Sequence, residues 1–96
     1  MSAPEDRQAA RSVTIVNSRG LHARASAKFV RLAGTFNAEV TVVKNDTEVS
    51  ASSIMGLMML AAAPGCPLEL RARGPAASAA LAALAHLVEN RFDEDG

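Results

Sequence analysis

Polar and apolar positions alternate in three stretches of the chain and follow helical spacing in three others. Ser12-Val13-Thr14-Ile15-Val16 switches between polar and β-branched apolar residues, the signature of a half-buried strand. Asn17-Ser18-Arg19-Gly20 interrupts it, because Gly20 tolerates dihedrals that other residues avoid. From His22 to about Ala33 the chain is rich in Ala, Leu, Lys and Arg, and Ala25, Phe29, Leu32 and Phe36 recur at helical spacing. Arg24, Lys28 and Arg31 form a basic face on that helix, and Gly34 is placed to stop it. Residues 38–43 predict a second strand, Lys44-Asn45-Asp46-Thr47 a turn, and residues 47–51 the return strand of a hairpin. Ser52 and Ser53 precede a short apolar helix, Ile54 to Leu60, for which a serine is a favourable cap; Ala63-Pro64-Gly65 ends it. Leu68, Leu70 and Ala72 alternate with Glu69, Arg71 and Arg73 as the clearest strand of all. After Gly74-Pro75 the last helix, about residues 76–91, turns Ala77, Leu81, Leu84 and Val88 inward. The order strand, helix, two strands, helix, strand, helix predicts an α+β fold whose sheet is covered on one face by helices.

Composition narrows the function. Ninety-six residues allow one domain, and 49% apolar with 21% charged residues is globular usage. Residues 1–11 are expected to be a flexible leader, 12–92 the folded domain, and 93–96 an acidic, frayed tail. Ten basic and ten acidic side chains cancel, which argues against nucleic-acid binding by bulk charge. Phe29, Phe36 and Phe92 are the only aromatics, too few for a stacking platform. Cys66 has no disulfide partner and no metal spacing with His22 and His86, so neither metal nor cofactor is expected, and the fold suits a reducing, cytoplasmic setting. The polar N-terminal segment lacks the apolar core of a secretory signal, and the apolar stretch from Ile54 is shorter than the ~20 residues that cross a bilayer.

Two positions carry candidate chemistry, both at helix starts. His22 opens the first helix with Arg24 two residues on. Unpaired N–H groups and the helix dipole make such an end an anion site, where an imidazole can accept a phosphoryl group and Arg24 can hold its oxygens. The plainer reading is a tolerated cap beside a turn. Ser53 is either a cap alone or a cap that is also phosphorylated, which would add nearly two negative charges at that helix end. The helix after it is too short to bury Ile54, Met55, Leu57, Met58, Met59 and Leu60 together, so some must face outward, where flexible thioethers suit several partners. His86 lies on a solvated face and is assigned no role.

The segment from Gly20 to Val30 (Gly-Leu-His-Ala-Arg-Ala-Ser-Ala-Lys-Phe-Val) resembles the active-site segment of the HPr family, histidine phosphocarriers of the bacterial phosphoenolpyruvate-dependent phosphotransferase system. Ser52-Ser53-Ile54-Met55-Gly56-Leu57-Met58 is similar to the same family's regulatory serine segment, at the family spacing of 31 residues from histidine to serine, and the likeness extends from about Val13 to Phe92. The resemblance implies an open-faced β-sandwich, four antiparallel strands under three helices (βαββαβα). It implies a carrier and not an enzyme: His22 takes a phosphoryl group from phospho-Enzyme I on the ring nitrogen nearer the backbone and passes it to a IIA-type protein. Arg24 would stabilise the group, and Ser53 would be the target of an HPr kinase/phosphorylase. Ile54, Met55 and Met58 would dock on partners, with Lys28 and Arg31 meeting acidic partner surface. The carrier is expected to act as a monomer, without nucleic acid or membrane insertion. The alternatives are a regulatory module worked through Ser53 with no relay role, and a ligand-binding domain, for which the sequence offers no pocket signal. Three departures from the common pattern stand out. Ala25 replaces the proline of His-x-Arg-Pro, Arg19 stands where a small polar residue often caps the first helix, and Asn45-Asp46 replaces Asn-Gly. The first two look like the nitrogen-related branch of the system and put a direct role in sugar import in doubt.

Overall fold

The structure, a computed structural model, describes residues 8–96. The element order is β1 (Gln8–Thr14), α1 (Ala23–Ala33), β2 (Glu39–Lys44), β3 (Thr47–Ser50), α2 (Ile54–Met59), β4 (Pro67–Arg73) and α3 (Ala77–Glu89), followed by a 3-10 turn (Arg91–Asp93). The strands form one antiparallel sheet in the order β1-β4-β2-β3, with three helices on one face, as the alternation predicted.

β4 has the strictest alternation and takes a central position, where both of its edges are hydrogen-bonded. Leu68, Leu70 and Ala72 point under the helices and are buried, opposite Val13 on β1 and beside Val42 and Val40 on β2. Arg71 and Arg73 point to the open face and pair with Glu48, Glu69 and Glu39 on the same surface. Each exposed pair contributes about 0–1 kcal/mol, so they keep the open face polar more than they hold the fold. The core lies between sheet and helices: Phe29 and Ala25 of α1, Leu57 of α2, and Leu81, Leu84 and Val88 of α3 meet the inward strand residues. Ala77, Ala80 and Ala85 are also buried on α3, and their small side chains let that helix lie close to β1 and β4.

Two boundaries differ from expectation. β1 begins at Gln8, inside the segment expected to be a leader, because β4 extends to Arg73 and its far half needs a partner; Gln8 pairs with Arg73 and Ala10 with Arg71. These residues carry little β pattern of their own, so only the neighbouring strand specifies them. The rest of the expected leader, residues 1–7, lies outside the described residues. Ile15 leaves the regular ladder but stays bonded, its N–H donating to the Cys66 carbonyl at 3.0 Å and its carbonyl accepting from Gly65 at 2.7 Å.

The second difference is at the C-terminus. After α3, Arg91, Phe92 and Asp93 adopt left-handed φ values of 58°, 53° and 63°, costly for residues with a Cβ. Phe92 is fully buried, continuing the inward series of Leu81, Leu84 and Val88 past the helix end. The Lys28 ammonium donates to the Phe92 carbonyl at 2.8 Å, and the Asn90 amide donates to the Asp93 carboxylate at 2.8 Å. The tail expected to fray is therefore folded back onto α1. Truncating Phe92→Ala should cost about 3–5 kcal/mol in urea unfolding and speed hydrogen exchange at Glu94; a loss below about 1 kcal/mol would mean the ring anchors nothing.

Candidate functional site

The turn before α1 is built to present one side chain. Gly20 has φ +64°, and a Cβ there would meet the Ala62 carbonyl oxygen at 2.2 Å, so both conformation and space require glycine. That carbonyl accepts the Leu21 N–H at 3.0 Å, and the buried Leu21 pins the chain to the segment leaving α2. His22 then enters with extended backbone as the N-cap of α1. Arg19 lies outside the helix; the capping position expected near it belongs to His22 itself.

The two ring nitrogens of His22 face different partners. Nδ1 accepts the Arg24 backbone N–H at 3.3 Å. Nε2 lies 2.5 Å from a carboxylate oxygen of Glu94. A backbone N–H can only donate and an ionised carboxylate only accept, so this arrangement puts the ring proton on Nε2 and the lone pair on Nδ1. The N–H groups of Ala23 and Ala25 make no backbone hydrogen bond among the described residues. Nδ1 is therefore aimed into the unpaired amides of a helix start. The His22 side chain is 22% exposed, enough for a donor to reach it.

Beside Glu94 lies an open cleft of about 390 Å³ lined by Arg19, Arg24, Lys28 and the carboxylates of residues 93–95. Arg24 and Lys28 of the expected basic face belong to it; Arg31 lies exposed in the last turn of α1 and does not line the cleft. The Lys28 ammonium is engaged with the Phe92 carbonyl. Glu94 was not among the expected site residues, because it is 72 residues from His22 and no local pattern links them. The signal that could have found it was Phe92, a large apolar side chain four residues beyond Val88, which requires the chain to keep contact with the core. Burial pushes the Glu94 carboxyl up. The hydrogen bonds from His22 and Asn17, with the Lys28 ammonium nearby, outweigh that and hold it below the ordinary range.

α2 is capped as expected, Ser53 Oγ accepting the Gly56 N–H at 2.9 Å. Its outward face carries Ile54 and Met58 at 40% and 37% exposure, Met55 at 67%, and Met59, left out of the expected docking set, at 78%. Leu57 and Leu60 face the core. The Lys44 ammonium donates to the Leu60 and Ala61 carbonyls, placing a positive charge at the C-terminal end of α2 where the dipole favours it. That end adjoins the His22 turn through the Leu21–Ala62 hydrogen bond. Ser53 sits at the opposite end, about 9 Å away along a six-residue helix. Among the described residues no cluster of three or more metal-ligating side chains occurs, and no helix is long and apolar enough to cross a membrane.

Comparison with known proteins agrees with this geometry. Residues 9–90 match the family model described as PTS HPr component phosphorylation site. The phosphocarrier protein HPr of Neisseria meningitidis serogroup A is 51% identical over 83 residues, 86% of this chain and 93% of that protein. The phosphocarrier protein NPr of Shewanella violacea is 46% identical over 84 residues, 88% of this chain and 92% of that protein. The crystal structure of HPr-C-His from Thermoanaerobacter tengcongensis superposes with a TM-score of 0.87 at 38% identity, covering 92% of this chain and 99% of that one.

The depressed carboxyl gives the site a pH signature. Glu94 stabilises the fold above the ordinary glutamate pKa of about 4.3 and loses that contribution as pH falls through its lower folded value. Urea midpoints of the wild type should therefore exceed those of Glu94→Gln near neutrality and converge with them in acid. A gap that stays constant down to the acid limit would contradict the contact.

Proposed function

Since the chain belongs to the HPr family of phosphotransferase-system phosphocarriers, we propose that it takes a phosphoryl group from phospho-Enzyme I onto Nδ1 of His22 and hands it to a IIA-type protein. The reading rests on one observation above the others: the Nδ1 lone pair points into the N-terminal amides of α1 on a part-exposed ring.

Attack by Nδ1 would use the lone pair that now accepts the Arg24 N–H. At 3.3 Å that hydrogen bond is at the weak end of the range, so little is lost when the N–H turns to a phosphoryl oxygen. The Ala23 and Ala25 amides add donors, and the Arg24 guanidinium at the cleft wall supplies charge-assisted bonds. Ala25 in place of proline favours this, since it contributes an N–H at the third helical position. Little else is required of a phosphoryl relay, whose loose transition state is steadied by position and charge.

Partners would dock on the apolar face of α2, formed by Ile54, Met55, Met58 and Met59, next to the cleft. Flexible thioethers adapt to more than one partner, and a patch this small fits brief contacts. Arg24 and Arg31 would face acidic partner surface. Phosphorylation of Ser53 by an HPr kinase/phosphorylase would place two charges at the edge of that patch, far from His22. It would act on docking and not on the imidazole. A module worked through Ser53 alone would have no use for an imidazole presented in this way, which favours the relay.

Incubation with phosphoenolpyruvate and Enzyme I should place one acid-labile phosphate on the protein, and His22→Ala should abolish it; label that survives the substitution overturns the assignment. Ser53→Asp should raise the KM for Enzyme I several-fold, about 1 kcal/mol of docking energy, with little change in kcat. Unchanged kinetics would remove Ser53 from the regulatory reading.

A further inference from the structure

The folded-back C-terminal segment delivers a single carboxylate oxygen to the ring nitrogen opposite the nucleophile. Glu94 Oε2 faces His22 Nε2, and Oε1 accepts the Asn17 amide at 3.0 Å. The same Asn17 amide donates to the Gly20 carbonyl at 2.9 Å, so one side chain ties the carboxylate to the turn that aims His22. Asn17 is fully buried, and its Oδ1 has no partner among the described residues. An orphaned buried acceptor costs about 1–3 kcal/mol, so the fold tolerates a penalty at a place where the amide's donors hold Glu94. The backbone carrying Glu94 is itself strained, through Arg91, Phe92 and Asp93. Both features lie on the path between the core and His22.

Resting on the reading of His22 as phosphoryl acceptor, we propose that Glu94 is a positioning residue for the transfer, holding the proton on Nε2 throughout the cycle. On loading, the Nδ1 lone pair forms the new N–P bond as the donor's bond to phosphorus breaks and its electron pair leaves with the donor. The ring keeps Nε2–H and becomes cationic. On unloading, the acceptor's nucleophile bonds to phosphorus, the P–Nδ1 pair returns to Nδ1, and the ring departs neutral with Nε2–H in place. No proton enters or leaves the imidazole in either direction. Glu94 supplies the counter-charge for the cationic stage and keeps the leaving group an imidazole instead of a far poorer imidazolate. The other charges facing the site are Arg19 from the turn, Arg24 and Lys28 from α1, and Asp93 and Asp95 from the C-terminal segment.

The test uses the full chain labelled with 15N-histidine, with exposed His86 as internal reference. In the unphosphorylated wild type His22 should be the Nε2–H tautomer; Glu94→Gln should lose that preference and Glu94→Asp should retain part of it. After loading by Enzyme I, hydrolysis of phospho-His22 in Glu94→Gln should be about tenfold slower than wild type in mild alkali, where solvent protons are scarce and the carboxylate's hold on the Nε2 proton counts most. The two rates should converge in acid, where solvent protons are plentiful. An unchanged tautomer, or coincident pH profiles, overturns the role of Glu94. Failure of the wild type to take up label overturns the phosphocarrier reading instead, and the tautomer measurement is independent of it.

Discussion

The hydrogen bond from the Arg24 backbone N–H to His22 Nδ1 is the interaction on which the site depends. It puts a ring lone pair at the helix cap, so any group bound to that nitrogen would inherit the amides the cap serves. Serine, threonine, aspartate and asparagine cap helices better than histidine does. The chain uses such a residue where capping is the main need: Ser53 closes its bond to α2 at 2.9 Å, against 3.3 Å at α1. The weaker cap leaves the Nδ1 lone pair only loosely held. Gly20, Leu21 and the Ala62 carbonyl exist to hold that compromise in place, since without the left-handed glycine the chain would not enter α1 with the ring outward.

The electrostatics are local. Formal charges cancel over the sequence, yet the cleft gathers two arginines, a lysine and three carboxylates within one concavity. Within it Glu94 faces Nε2 of His22. α2 has no acidic residue in its first turn and no basic residue in its last, and presents an uncharged face beside that cleft. The apolar face of α2 and the charged cleft are thus separate surfaces.

The helix and strand pattern was legible because burial on one face leaves a period in the sequence. Leu68, Leu70 and Ala72 read as a strand and are one; Ala77, Leu81, Leu84 and Val88 read as a helix face and are buried. His22 and Ser53 were legible as helix starts because capping is a local relation over three residues. Gln8 to Arg11 were misjudged because nothing in them favours a strand until β4 lies alongside. Met59, which the family resemblance does not single out, is nonetheless the most exposed methionine of α2, because only tertiary packing decides how far each side chain of a six-residue helix turns outward.

Sequence alone determined the order of elements, the anion-binding helix start with its imidazole, and the short methionine helix behind a serine. Each follows from residues within a few positions of one another. Tertiary structure decided which nitrogen of His22 holds the proton, because that depends on a carboxylate 72 residues away. Its arrival there is set by the burial of Phe92, the left-handed turn around it and the amide of Asn17. Local pattern records which side chains must be buried, but not which distant polar groups that burial brings into contact.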